Sequence, residues 1–272
     1  MSGAARLPTP DRVVGVRPLV MGVLNVTPDS FSDGGRFLDP EAAVAHGLRL
    51  VAEGAELVDV GGESTRPGAS PVPPDVERAR VVPVVEALAG HVRVSVDTRH
   101  REVAEAAVDA GATLINDVSA SLWPVAAEAG VGWVAMHMRG TPETMQQDPR
   151  YDDVVAEVTD YLAAHAAEAV DGGVGEVWID PGIGFGKTVR HNLELLAGVR
   201  SLVATGHPVL VGTSRKGFLG TLLDASSPDD RLEGSLATAV WALTQGAGMV
   251  RVHDVRPTVE AVRLIAEEVG SR

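Results

Sequence analysis

The chain has no cysteine, and of its 23 basic residues only Lys187 and Lys216 are lysine. The first absence removes a disulfide framework, a thiolate metal site and a cysteine nucleophile. The second makes two positions conspicuous, because a compact ammonium is not exchangeable for a planar guanidinium where space is tight. Each lysine follows a predicted strand, inside a Gly-rich or polar segment. No run approaches the ~20 consecutive apolar residues of a membrane helix, and residues 1–18 have no apolar stretch of the kind a secretory signal needs. A cytoplasmic location is therefore expected. A net charge of −14 argues against nucleic-acid and membrane partners, and any anionic ligand requires a local cationic pocket.

What is present is a globular composition, 45% apolar and 22% charged over 272 residues, a length that suits one α/β barrel of about 250 residues. Residues 1–18 read as an N-terminal extension, with Pro8, Pro10 and Pro18 and no apolar periodicity. From residue 19 to 272, Val/Ile/Leu-rich runs alternate with Ala-rich amphipathic stretches of helical length. Strands are predicted at Leu19–Val26, Leu57–Gly61, Val92–Asp97, Thr113–Val118, Trp133–His137, Glu176–Asp180, Pro208–Thr213 and Met249–His253. Helices are predicted at Pro40–Glu53, Pro74–Ala89, His100–Ala110, Tyr151–Val170, His191–Val203, Arg231–Gln245 and Arg256–Val269. Apolar strands separated by helices describe a parallel sheet covered on both faces. Eight such repeats predict a single-domain α/β fold, a (β/α)8 TIM barrel. The rival, a doubly wound open sheet, lacks its GxGxxG fingerprint, since the first strand runs into NVTPDSFSDGG.

In a barrel the reactive side chains collect at the C-terminal ends of the strands. Those ends carry Asn25, Glu63, Asp97, Asn116, Asp117, His137, Asp180, Ser214, Arg215, Lys216, Arg251 and His253. One such residue could simply cap a helix or turn. Polar groups at the end of every strand, flanked by Val, Ile or Met, point instead to a shared ligand as their partner. Several chemistries fall away. Gly186-Lys187-Thr188 looks like the end of a phosphate-binding P-loop, but Pro181 stands where that motif needs glycine. HExxH and GxSxG are missing, which disfavours a built-in zinc site and a hydrolase elbow. Lys216 could form a Schiff base, although Arg215 and Arg251 nearby suit it better to the role of a fixed charge. Lys187 could equally brace its loop through backbone carbonyls, and His137 could be satisfied by neighbouring polar groups.

Seven segments, NVTPDSFSDGG at 25–35, GGESTRPGA at 61–69, SVDT at 95–98, INDV at 115–118, DPGIGFGK at 180–187, TSRK at 213–216 and RVHDV at 251–255, together resemble the dihydropteroate synthase family. The resemblance spans nearly the whole chain after residue 18. It implies condensation of 6-hydroxymethyl-7,8-dihydropterin pyrophosphate with p-aminobenzoate, with Mg²⁺ arriving on the diphosphate, sulfonamides competing for the p-aminobenzoate site, and a homodimer. It assigns the pterin to Asp97, Asn116, Asp180, Lys216 and Arg251, and the pyrophosphate to Asn25, Arg66, Arg251 and His253, with Asn25 also touching the metal. The p-aminobenzoate falls to Phe31, Thr65, Pro67, Phe185, Ser214, Arg215 and Lys216. Asp97, Asp180, Lys216 and Asp33 would carry the chemistry, and the loops Val26–Gly35 and Gly62–Ala69 would close over the site. Three positions depart from the family's pattern: Gly217 stands where many relatives have a serine that helps hold the p-aminobenzoate carboxylate, and Ala120 and Ser121 stand where a glycine pair is usual. A methyltetrahydrofolate methyltransferase could share the DPG, IND and SVD elements, and a non-catalytic pterin-binding relative is the alternative outside the enzymes.

Overall fold

The computed structural model describes residues 17–27, 40–64, 69, 71–225 and 227–269. Of the expected extension over residues 1–18, only Arg17 and Pro18 are among them. Strands and helices alternate in the order β1 (Leu19–Asn25), α1 (Pro40–Ala52), β2 (Leu57–Gly61), α2 (Pro74–Leu88), β3 (Arg93–Asp97), α3 (Arg101–Asp109), β4 (Leu114–Asp117), α4 (Trp123–Ala129) and β5 (Gly132–Met136). There follow α5 (Val154–Asp171), β6 (Val177–Asp180), α6 (Val189–Ala197), α7 (Val199–Val203), β7 (Leu210–Val211), α8 (Gly217–Leu223), α9 (Leu232–Thr244), β8 (Met249–Val252) and α10 (Val255–Val269). Every strand pairs in parallel with its neighbour, from β7 through β8 and β1 round to β6. A single bridge from Ile179 to Val209 joins β6 to β7 and completes the ring. The single-domain (β/α)8 barrel is as expected.

The departures from expectation have local causes. The helix expected over His191–Val203 is two, α6 and α7, with a corner at Gly198. A Cβ there would stand 2.7 Å from the Val155 side chain of α5, so the close crossing requires glycine. The short helices α4 and α8, seven residues each, give too brief a window for a helical period to show. Helix α5 starts at Val154 rather than Tyr151, because the Asp153 carboxylate accepts from Val155 N and Ala156 N at 3.0 Å and caps it there.

Alternation along the strands sorts the side chains into two sets. One face, including Val20, Leu24, Val58, Val60, Val94 and Val96, packs against the helices in the main core. The other fills the barrel, where Met21, Leu57, Leu114, Val134, Trp178, Leu210 and Met249 form a closed apolar tier. Below it, Arg93 NH2 meets Glu176 Oε2 at 2.6 Å, and Trp178 Nε1 donates to Glu176 Oε1 at 2.7 Å. Above it the inward positions turn polar.

One strand-end carboxylate belongs to the architecture rather than to that polar tier. Asp117 accepts from Ser119 N, Ser121 N, Leu122 N and the buried Trp133 Nε1 at 2.6–3.1 Å. These bonds hold the turn in which Ala120 takes φ +52°, a left-handed conformation that glycine would adopt at no steric cost. The replacement of the expected glycine by Ala120 is thus accommodated by a turn that its neighbours over-determine.

Candidate active site

The polar tier is organised by a residue that the strand-end reading does not single out. Asp59 lies in the middle of β2, between Val58 and Val60, and is fully buried. Its Oδ2 accepts from Arg251 Nε at 2.6 Å and from Asn116 Nδ2 at 2.9 Å. Arg251 NH2 also donates to Asp97 Oδ2 at 2.8 Å. Strands β8, β2, β3 and β4 are therefore tied across the barrel by one guanidinium and two carboxylates. The signal for Asp59 was a carboxylate at an inward position of a central strand, where a charge has to find a partner. Two buried oxygens of this tier, Asp59 Oδ1 and Ser95 Oγ, have no hydrogen-bond partner, and their residues are register neighbours across β2 and β3.

Above the tier opens a cavity of about 410 Å³, counting the space at its mouth. Asp97, Asn116, Asp180, Phe185, Lys216 and Arg251 line it, and Val118, Met136 and Ile183 supply apolar wall. Six residues expected at the site thus converge from β3, β4, β6, β8 and the segments following β6 and β7. Asp180 Oδ1 accepts from Gly182 N at 2.7 Å, and Lys216 Nζ stands 3.8 Å from the centre of the Phe185 ring. Burial governs the titration of the charged groups. It pushes the Asp97 carboxyl up to about 7 against the pull of Arg251, and that of Asp180 up to about 6 against the Gly182 amide and Lys216. Burial and the Arg251 charge bring the Lys216 ammonium down to about 8. Although burial opposes the charge of Arg251, Asp59 and Asp97 more than offset it and raise its pKa further.

The remaining expected residues fall into four groups. His253 and Ser214 pair beside the cavity: Ser214 Oγ meets His253 Nδ1 at 3.1 Å and accepts from His253 N at 3.1 Å. Burial and then Arg251 hold the His253 imidazole down to about 3, so it is neutral; where the Ser214 hydroxyl donates to Nδ1, the Nε2 hydrogen is left as donor. Asn25 closes β1 in register with Gly61, which is itself in register with Asp97. Arg215 is turned to Asp254 and Asp229, donating to Asp254 Oδ1 at 2.7 Å and to Asp229 Oδ1 at 2.9 Å, and it does not line the cavity. Phe31, Asp33, Thr65, Arg66 and Pro67 lie outside the described residues, as does most of the loop expected over Val26–Gly35.

Lys187 and His137 stand behind the cavity wall and satisfy each other, Nζ lying 2.9 Å from Nδ1. Among the described residues, the one grouping of three metal-ligand side chains is Glu63, Glu77 and His100, outside the cavity. Arg99 already holds both oxygens of Glu63, at 2.9 and 3.0 Å.

The family model of pterin-binding enzymes matches residues 21–253. The chain is 51% identical to the dihydropteroate synthase of Mycobacterium leprae over 90% of its own length and 92% of that protein's. It is 47% identical to the Xanthomonas albilineans dihydropteroate synthase solved with 4-aminobenzoic acid, with a TM-score of 0.87 and 94% of each chain covered. A structure of the X. albilineans enzyme in complex with 7,8-dihydropteroate superposes with a TM-score of 0.84 at 45% identity, covering 94% of this chain and 95% of that one.

The network makes Asp59 the test of the site's internal support. Removing one partner of a buried ion pair strands the other, so Asp59→Ala should destabilise the fold by about 3–5 kcal/mol in urea unfolding. Asp59→Asn, which keeps an acceptor for Asn116, should cost less. A loss below about 1 kcal/mol for Asp59→Ala would mean that Arg251 does not depend on it.

Proposed function

Because this chain belongs to the dihydropteroate synthases, within the pterin-binding enzyme family, we infer that the cavity above the Arg251 network is where the pterin is bound and activated. The enzyme is a transferase of folate biosynthesis that joins 6-hydroxymethyl-7,8-dihydropterin pyrophosphate to p-aminobenzoate, giving 7,8-dihydropteroate and pyrophosphate. The observation that carries the site assignment is the convergence of Asp97, Asn116, Asp180, Lys216 and Arg251 on one cavity from distant parts of the chain.

In this reading Asp180 takes the aminopyrimidinone edge of the pterin, whose adjacent N–H donors suit a carboxylate as a guanidinium fork does. Asn116 and Asp97 complete the ring's hydrogen bonds, and Lys216 reaches the ring carbonyl and nitrogen. Arg251, held by Asp59 and Asp97, offers its planar face to the ring and its charge to the leaving group. The neutral His253, oriented by Ser214, donates to the pyrophosphate. Asn25 and Arg66 serve the same group from the first two loops. Phe31, Thr65, Pro67, Phe185 and Lys216 form the p-aminobenzoate half, where sulfonamides compete, and Asp33 assists at the leaving group. Arg215, engaged by Asp254 and Asp229, contributes by holding the β7 loop in place.

Breaking the C–O bond sends its electron pair to the pyrophosphate and leaves positive charge on the methylene and the ring. Asp97 and Asp180 stabilise that charge from positions set before reaction, which is electrostatic preorganisation. The arylamine nitrogen then forms the new C–N bond and loses a proton. No general base is required, since an arylamine is already nucleophilic at neutral pH. The site's donor set fits a Mg²⁺ that arrives on the diphosphate: at the β1 end Asn25 offers one carboxamide oxygen, and such an ion takes few protein ligands. Bound there, it would neutralise charge on the leaving oxygens.

Three exposed apolar positions support self-association. Leu193 on α6, Trp241 on α9 and Leu222 on α8 are each over 40% exposed, and these three helices pack together. Such a patch fits the face of a homodimer.

Purified enzyme given pterin pyrophosphate, Mg²⁺ and p-aminobenzoate should form dihydropteroate, and chelating the metal should stop it. Asp180→Ala should weaken pterin binding by roughly a hundredfold. Tight pterin binding without product would mark a non-catalytic relative, and normal affinity in Asp180→Ala would refute its role.

Binding to ionised Asp97 and Asp180 also sets a pH dependence. Both carboxyls titrate high, at about 7 and about 6, so the free site takes up protons as pH falls through that window. Pterin affinity should be full above it and drop about tenfold per pH unit for each proton that must be expelled. Calorimetry showing a flat affinity from pH 8 to pH 5 would contradict this.

Sedimentation at micromolar concentration should give a dimer, and Trp241→Glu a monomer; a monomeric parent enzyme would discard the proposed interface.

A further inference from the structure

The segment after β6 is held by more than its own turn. All three carbonyls of its Gly-Phe-Gly stretch are taken by side chains: Gly184 O by Gln146 Nε2 at 2.8 Å, Phe185 O by Lys187 Nζ at 2.9 Å, and Gly186 O by the Tyr151 hydroxyl at 2.9 Å. Gln146 and Tyr151 belong to the loop between β5 and α5. Lys187, only 2% exposed, reaches back to the end of β5, where it meets His137 O at 3.2 Å and His137 Nδ1 at 2.9 Å. Burial lowers the Lys187 ammonium to about 7; in its charged form its three hydrogens match three acceptors, with His137 carrying its own hydrogen on Nε2. Burial and then Lys187 lower the His137 imidazole to about 3, which keeps the ring neutral. The Tyr161 ring fixes the imidazole edge-on at 4.9 Å. The two loops also touch through backbone. Gly182 and Gly186 adopt φ +63° and +64°, and a Cβ at either would run into His137 O or Arg139 O.

We propose that the loop after β5 is a brace for the loop after β6, and that Lys187, Tyr151 and Gln146 are positioning residues for the arylamine half-reaction. Each holds backbone carbonyls, Lys187 also meets the His137 ring, and none of the three lines the cavity. What they place is the Phe185 ring, which faces the cavity and stands against Lys216 Nζ. An unbraced Gly-Phe-Gly stretch would let that ring wander, because glycine on both sides leaves its backbone little intrinsic restraint. The brace thereby sets the fit of the second substrate while the pterin half rests on the Asp59–Arg251–Asp97 network. This rests on the reading of Phe185 as a wall for p-aminobenzoate.

The test separates the two substrates. In the full-length enzyme with Mg²⁺, the double variant Gln146→Ala/Tyr151→Phe removes two braces without changing charge. It should raise KM for p-aminobenzoate about three- to tenfold with a smaller change in kcat, and leave calorimetric affinity for pterin pyrophosphate within about twofold. Lys187→Met should raise that KM further, by roughly tenfold or more; its pterin affinity is not diagnostic, since the Lys187 charge acts on Asp180. Thermal unfolding confirms that each variant is folded. Phe185→Ala serves as the reference for a lost wall. If Phe185→Ala raises KM and the double variant does not, or if both substrates weaken in parallel, the brace is refuted. A normal KM in Phe185→Ala would remove the wall itself, and the purpose of the brace with it.

Discussion

A guanidinium clamped between two carboxylates inside a barrel is the constraint from which the rest of this structure follows. Arg251 could not sit within that interior unpaired, and neither could Asp59. Paired, they lock β8 to β2 and β3 at the level where the barrel changes from apolar to polar. Asn116 donates to the same Asp59 oxygen and is oriented by it. The groups proposed to meet the pterin are therefore tied to one another within the fold, so in that reading little reorganisation remains when charge develops.

The apolar tier beneath gives this arrangement its floor. Met21, Leu57, Leu114, Val134, Trp178, Leu210 and Met249 pack into an apolar floor, and the cavity lies on the other side of the polar tier, toward the C-terminal rim. Burial moves the titrations. Asp97 and Asp180 are pushed upward by burial, Lys216 downward, and all three come close enough to neutrality for modest changes in pH to alter what the cavity offers.

The two halves of the proposed site draw on different kinds of support. Of the groups proposed for the pterin, Asp97, Asn116 and Arg251 stand on strands whose register is set by continuous ladders from β8 to β4, Asp180 stands on β6, and Lys216 follows β7. The end proposed for the arylamine draws on segments outside the strands, and these need restraint of their own. Lys187, Tyr151 and Gln146 supply it for the segment after β6, while Arg215, held by Asp254 and Asp229, supplies it after β7.

Much of this was legible in the linear sequence. Eight apolar runs marked the strands because burial on both faces leaves an unbroken Val/Ile/Leu signature, and the polar residue closing each run marked the rim. Asp97, Asn116, Asp180, Lys216 and Arg251 were found this way. Asp59 was not: alternation with Leu57 could place it on the inward face, but nothing along the strand tells which charge stands across the barrel. Nor could Ser214 and Arg215 be separated. They are neighbours in sequence, yet one orients His253 and the other points to Asp254 and Asp229, because Arg215 takes a left-handed φ of +59°. The sequence by itself thus determined which residues reach the rim, a property of periodicity along one strand. Only the tertiary structure decided which of them share a proton, a charge or a hydrogen bond, because those pairings join positions as far apart as Asp59 and Arg251 and depend on distances that no local pattern encodes.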